Sequence, residues 1–181
     1  SDLWRARAVD EAAAVITAQS PYPVFAYRWD WDEGGQSWLV NYAELLGAGH
    51  GLEVAFVFNS FRAGGITAPV LYTDDNIPGR DILAQQMRSY WAEFARSGTP
   101  GRGGNGELLE WREWTPTGAN LMLLDTAAGG GLRMVDQPMT AAMLQQRVVN
   151  DDSITELETR CAVYAELFLK ANAGDRFWNE N

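Results

Sequence analysis

One cysteine and one histidine are all that the chain carries of either type. A lone Cys161 excludes an internal disulfide and any cysteine-built metal centre. A lone His50 leaves too few ligands for most transition-metal sites that one chain could build. Lysine is nearly absent, the 14 basic residues are scattered, and the formal net charge is -10. Such a surface cannot replace the counterions of a nucleic acid, and an anionic membrane would repel it. No apolar run approaches the ~20 residues of a bilayer-spanning helix. Ser1-Asp2-Leu3-Trp4-Arg5 opens without the apolar stretch of a secretory signal. Neither nucleic acid nor membrane is an expected partner.

What is present reads as globular: 46% hydrophobic against 21% charged residues is far from a disordered composition. Eight tryptophans call for a large core or a deep pocket. Trp4, Ala8, Ala12 and Val15 fall at turn spacing and predict a helix over 2–18, stopped by Pro21 and Pro23. From Val24 to Trp31 the period changes to two, with Phe25, Tyr27, Trp29 and Trp31 on one face of a strand. Gly34-Gly35 ends it, and a loop runs to Gly51. The run from Leu52 to Phe61 is too short to assign by period, and a loop with Gly64-Gly65, Pro69 and Pro78 follows it.

Leu83, Met87, Tyr90, Trp91 and Phe94 make one apolar stripe and predict a helix over 82–97, stopped by Gly98 and Pro100. Leu121 to Asp125 and Leu132 to Asp136 read as short strands around a Gly129-Gly130-Gly131 turn. Ser153 and Glu156 fit a capping box for a last helix with the stripe Leu157, Cys161, Tyr164, Phe168 and Leu169, which makes Cys161 a small core residue. Alternating strands and helices give an α/β class. Two or three strands make a poor sheet, and the aromatic strand face and both helix stripes call for partners beyond the chain.

His50 stands in Gly47-Ala48-Gly49-His50-Gly51. An imidazole can take and return a proton near neutral pH, and flanking glycines let the backbone turn sharply around it. Spacing alone leaves two readings open: a proton-shuttling base, or a histidine in a glycine-rich turn. Glu53, three residues on, would share one side of a helical turn with it, as a supporting carboxylate or as a solvated residue at a helix start. No serine of the chain has glycines two residues to either side, the setting of a nucleophile elbow.

Several segments, taken in order, resemble the C-terminal end of the type-B carboxylesterase family, which includes cholinesterases and bacterial para-nitrobenzyl esterases. They are the strand Val24 to Asp30, then Gly47-Ala48-Gly49-His50-Gly51-Leu52-Glu53 with Phe56-Val57-Phe58, then Met87 to Gly98 with Thr99-Pro100. Trp111, Trp114-Thr115-Pro116, Leu121 to Asp125 and the helix Cys161 to Phe168 complete the series.

The resemblance implies that residues 1–181 are the C-terminal part of a single α/β-hydrolase catalytic domain, with a mostly parallel sheet and flanking helices, incomplete without an N-terminal segment. His50 would be the triad histidine, half-buried on a loop at the C-terminal edge of the sheet, and Glu53 its supporting carboxylate. The serine and the acidic residue would come from the preceding segment or chain, the substrate would be a small-molecule ester, and no metal or cofactor is implied. Secreted animal relatives pair the cysteine of the last helix with one upstream. Cys161 has no such partner, which favours a bacterial-type, cytoplasmic enzyme. The alternative is a non-catalytic binding or adhesion module of the same build.

Overall fold

The aromatic alternation from Phe25 to Trp31 builds the surface on which the larger unit is assembled. The computed structural model of the chain describes residues 2–62, 68–118, 120–136 and 139–170. Two compact units emerge, one within Ser1–Gln19 and Pro138–Asn181, the other within Ser20–Gln137. In chain order, α1 (Asp2–Arg5), a π-helical stretch (Ala6–Glu11) and α2 (Ala12–Gln19) form one helical run. Then come β1 (Ala26–Trp29), α3 (Tyr42–Leu46), α4 (Glu53–Val57), α5 (Ala68–Leu71), a 3-10 turn (Asp74–Asn76) and α6 (Ile77–Ser97). They are followed by β2 (Leu121–Leu124), β3 (Arg133–Val135), α7 (Ala141–Val149), α8 (Leu157–Tyr164) and a second π-helical stretch (Ala165–Lys170). The class is α/β, as expected. The expected Gly64-Gly65 loop lies outside the described residues.

In the unit Ser20–Gln137, β1 and β2 pair in parallel, from Ala26 opposite Leu121 to Trp29 opposite Leu124. β3 runs antiparallel to β2, so one of the two pairings is parallel. A parallel pair needs a long crossover, and α3 to α6 fill it. Phe25 meets Phe94 edge-on at 6.0 Å, and Tyr27 meets Trp91 at 5.1 Å, which seats α6 on the strand. Trp29 and Trp31 meet Phe56 of α4 at 5.1 and 5.2 Å. The chain thus covers with its own helices the aromatic face that the sequence pattern left bare. Each such ring pair contributes about 0.5–1.5 kcal/mol beyond the area it buries.

α6 begins at Ile77, five residues before the stripe predicts, because Pro78 sits in its first turn, where proline's missing N–H costs nothing. Its end is the expected one: Gly98, at φ 81°, donates its N–H to the Phe94 carbonyl at 2.8 Å. Gly129 to Gly131 form a turn, and a side chain at Gly129 would collide with the Asp125 carboxylate.

The other unit has a small core of Ala6, Leu144 and Phe168, joined by Leu3, Met139, Val148 and Tyr164. Its first helix buries Ala6, Asp10 and Ala13, whereas Trp4, Ala8 and Val15 are exposed. Ala6, Asp10 and Ala13 recur at helical spacing, on another side of the run from the expected stripe. α7, which the sequence pattern did not reveal, starts at Thr140, whose hydroxyl accepts from the Met143 N–H at 3.2 Å. The expected capping box does not form. Ser153 turns to the Asp151 carboxylate instead, and α8 begins at Leu157 behind Glu156. Cys161 is exposed rather than part of the core, because the buried side of this segment turns on Tyr164 and Phe168.

Arg5 and Asp10 form a buried ion pair at 3.2 Å, and Asp10 also accepts the Met139 N–H at 3.0 Å. Removing one partner of a buried pair leaves an uncompensated charge, at a cost of about 3–5 kcal/mol. Asp10→Ala should therefore destabilise the unit by that amount in chemical denaturation, and Asp10→Leu combined with Arg5→Met by much less. Equal losses in both variants would refute this account of the pair.

Candidate active site

The loop after β1 is pinned before it reaches His50. Gly35 donates to the Leu71 carbonyl at 3.1 Å and accepts the Tyr42 N–H at 3.0 Å. A side chain at Gly35 would stand 2.3 Å from the Val70 carbonyl oxygen, so only glycine allows this approach. Asn41 then caps α3, accepting from the Ala43 and Glu44 N–H groups at 3.1 and 3.4 Å. Gly47, at φ 51°, ends α3 and donates to the Ala43 carbonyl at 2.9 Å. Gly51, at φ 87°, accepts the Val54 N–H at 3.4 Å as α4 begins.

His50 lies at the tip of this turn, between two left-handed glycines, and is exposed. The expected half-burial is not found in the chain by itself. Glu53 occupies the first turn of α4 and is half-buried. The two expected residues are thus neighbours on one short stretch, with Tyr27 of β1 close to Glu53. Burial raises the Tyr27 hydroxyl above its ordinary value, and the Glu53 charge raises it further. Tyr27 is a residue that sequence reasoning missed; its place in the alternation assigned it to packing and carried no sign of a charged neighbour.

Large apolar side chains surround the same segment. Trp38 is 91% exposed and Phe58 74%, and Leu39, Leu45, Leu46 and Val54 are exposed as well. Exposed apolar side chains thus lie on either side of His50 in residues 38–58, as they also do elsewhere, at Tyr22, Ile82 and Leu157 among others.

The two parallel strands end together on acidic residues. Arg28 holds the Asp30 carboxylate with two bonds of 2.6 Å, and the Thr126 hydroxyl donates to Glu33. Asp125 is buried; burial pushes its carboxyl above the ordinary value, the Thr126 N–H at 2.8 Å opposes this, and the Asp30 charge adds to the rise. Among the described residues no group of three or more His, Cys, Asp or Glu could hold a metal ion, and no helix is long and apolar enough to cross a membrane. A cavity of about 830 Å³ lies in the other unit, lined by Leu3, Leu144, Val148 and Phe168 with Asp2 and Arg147 at its polar side.

Comparison with known proteins bears on this arrangement. The model of the carboxylesterase family matches residues 3–144, which include the histidine loop. Human cocaine esterase is 36% identical over 88 residues, 48% of this chain and 13% of that protein. Acetylcholinesterase of Gallus gallus is 30% identical over 138 residues, 70% of this chain and 17% of that protein. Among solved structures, a PNB esterase overlaps 69% of this chain and 21% of its own at 24% identity, with a TM-score of 0.49. A Geobacillus stearothermophilus carboxylesterase overlaps 64% and 20% at 25% identity, with a TM-score of 0.43. The chain spans about a fifth or less of the length of these relatives. The chain belongs to the carboxylesterase family.

The raised Asp125 carboxyl gives a pH prediction with a definite sign. A carboxyl whose folded value lies above its unfolded value costs stability wherever it is ionised. That cost is complete above the raised value and disappears below the ordinary one. Asp125→Asn keeps an oxygen for the Thr126 N–H, so it should raise the melting temperature at neutral pH and lose this advantage as the pH falls through the carboxylate range. A melting difference independent of pH would contradict it.

Proposed function

We propose that this chain supplies the histidine of a carboxylic ester hydrolase that works through a serine acyl-enzyme. The observation that carries the reading is His50 at the tip of a glycine-flanked loop, in a chain matched by the family model across that loop. A serine from an N-terminal segment or chain of the same enzyme attacks the ester carbonyl. His50 takes the serine's proton, returns it to the leaving alcohol, and then activates the water that releases the acid. An acidic residue from that same segment holds the other ring nitrogen and fixes the tautomer. Glu53, at the start of α4, supports the loop from behind.

The exposed apolar side chains from Trp38 to Phe58 support the partner in this reading. Exposed apolar side chains on both sides of one loop fit a contact region there. The missing segment covers it, buries His50 and completes a pocket for a small-molecule ester. Residues 1–181 then form the C-terminal part of one catalytic domain.

The test is turnover of a short-chain p-nitrophenyl ester by the complete enzyme. His50→Ala should lower turnover about 10⁴-fold, the scale on which removal of a triad member is felt. Glu53→Gln should keep the fold and lower turnover by about 10- to 100-fold, as losses in a supporting shell do. A His50→Ala enzyme that retains full turnover would overturn the reading and favour a non-catalytic binding module of the same build.

A further inference from the structure

We propose that Asn76 is a positioning residue whose buried amide fixes the point at which the His50 loop leaves the sheet; this rests on the catalytic reading of His50. Asn76 stands at the start of α6, where an asparagine ordinarily turns its side-chain oxygen to the N–H groups of its own helix. It makes no such bond. Its amide nitrogen instead donates to the Glu33 carbonyl and to the Leu71 carbonyl, both at 2.9 Å. Carbonyls only accept, so these two partners identify the nitrogen and define the orientation of the amide. Asn76 is buried, and among the described residues its side-chain oxygen has no partner. A forgone cap and an unpaired buried oxygen both cost stability. What the amide secures is a contact across 43 residues of sequence.

That contact lies where the loop begins. Glu33 directly precedes Gly34-Gly35, and the hydroxyl of Thr126, just past β2, donates to its carboxylate. The same carboxylate lies against the first turn of α6, 3.2 Å from where a side chain at Gly79 would start. Asn76 thus closes a junction between the exit of β1, the exit of β2 and the start of α6. Gly34 and Gly35 carry this junction to the loop. The Leu71 carbonyl accepts the Gly35 N–H at 3.1 Å as well as the Asn76 amide, and Gly35 accepts the Tyr42 N–H at 3.0 Å. A side chain at Gly34 would stand 3.2 Å from the Ala43 nitrogen, so the backbone here runs directly against the first turn of α3. α3 is capped at Gly47, three residues before His50. A base that must meet its nucleophile within hydrogen-bond reach feels a shift at this origin, since ~1 Å of misplacement can cost ~10²-fold in rate.

The experiment replaces Asn76 by leucine in the complete enzyme and reads kcat and KM for a short-chain p-nitrophenyl ester beside the melting temperature. Leucine keeps nearly the shape of asparagine, removes the unpaired oxygen and lacks both donors. Active sites are counted by stoichiometric labelling with a fluorophosphonate, so loss of folded protein does not enter kcat. Asn76→Leu should lower kcat per labelled site about 10- to 100-fold with KM within about twofold, as a misplaced base would. Asn76→Ser keeps one donor on a shorter side chain and should fall between Asn76→Leu and the unaltered enzyme; it is read by the same criterion if Asn76→Leu yields no labelled sites. Asp10→Ala is the control: it loosens the other unit, so it should lower the melting temperature and leave kcat per site unchanged. Unchanged kcat per site in the Asn76 variants, whatever their melting temperatures, would overturn the proposal. So would an equal kcat loss in Asp10→Ala, which would make the effect one of stability alone. If His50→Ala retains full turnover, the catalytic reading fails first and the positioning role falls with it. If His50→Ala is inactive while Asn76→Leu turns over normally, only the positioning role fails.

Discussion

The stacking of α4 and α6 on the aromatic face of β1 is the contact on which the rest of this chain depends. β1 and β2 lie side by side and parallel, so the chain has to leave one strand end and return to the opposite one. The histidine loop and both covering helices lie in that crossover. Phe56 is its pivot: the ring touches Trp29 and Trp31 of the strand and, on its other sides, Phe61 at 5.1 Å and Tyr72 at 6.5 Å. Arg80, with its guanidinium 4.1 Å above the Phe61 ring, closes the cluster from α6. Loosening Phe56 would release α4, and with it the turn that ends in Glu53.

A second consequence of the parallel pairing is electrostatic. Parallel strands finish at the same edge, so Asp30, Asp32, Glu33 and Asp125 are gathered there by topology alone. Each is treated differently: Arg28 neutralises Asp30, Thr126 occupies Glu33, and Asp125 is buried. Burial is what chiefly moves the Asp125 carboxyl up, and the nearby Asp30 and Asp32 charges add to the rise. Residues 38–58 have the opposite character. Their only acidic or basic residues besides His50 are Glu44 and Glu53, and they present Trp38, Leu39, Leu45 and Phe58 outward.

The parts of this arrangement legible in the sequence were those set by short-range physics. Alternation of Phe25, Tyr27, Trp29 and Trp31 fixes a strand whatever lies around it, and Gly98 stops a helix by its backbone freedom alone. The turn around residue 50 was legible because glycines stand at 47, 49 and 51. Features that depend on a distant partner were not. The first helix pattern gave the wrong buried side because small alanines and the Arg5–Asp10 pair, rather than the larger apolar residues, are buried. Ser153 could cap a helix or bind a nearer carboxylate, and Asp151 is nearer. The cover of the aromatic face was missed because Phe56 sits in a run too short for any period to appear.

The loop itself shows how a turn rich in glycine can still be held in place. Glycines at 47, 49 and 51 allow the sharp path around His50 but cannot fix it, since each enlarges the backbone's choice. Definition enters from the two ends. On one side Asn41 caps α3 and Gly35 hydrogen-bonds to Leu71 and Tyr42. On the other, α4 is wedged between aromatic rings. The span between these anchors, from Gly47 to Leu52, is six residues long by sequence, and three of its positions are glycine. Short loops between fixed ends have few conformations, so anchoring supplies the order that the glycines remove.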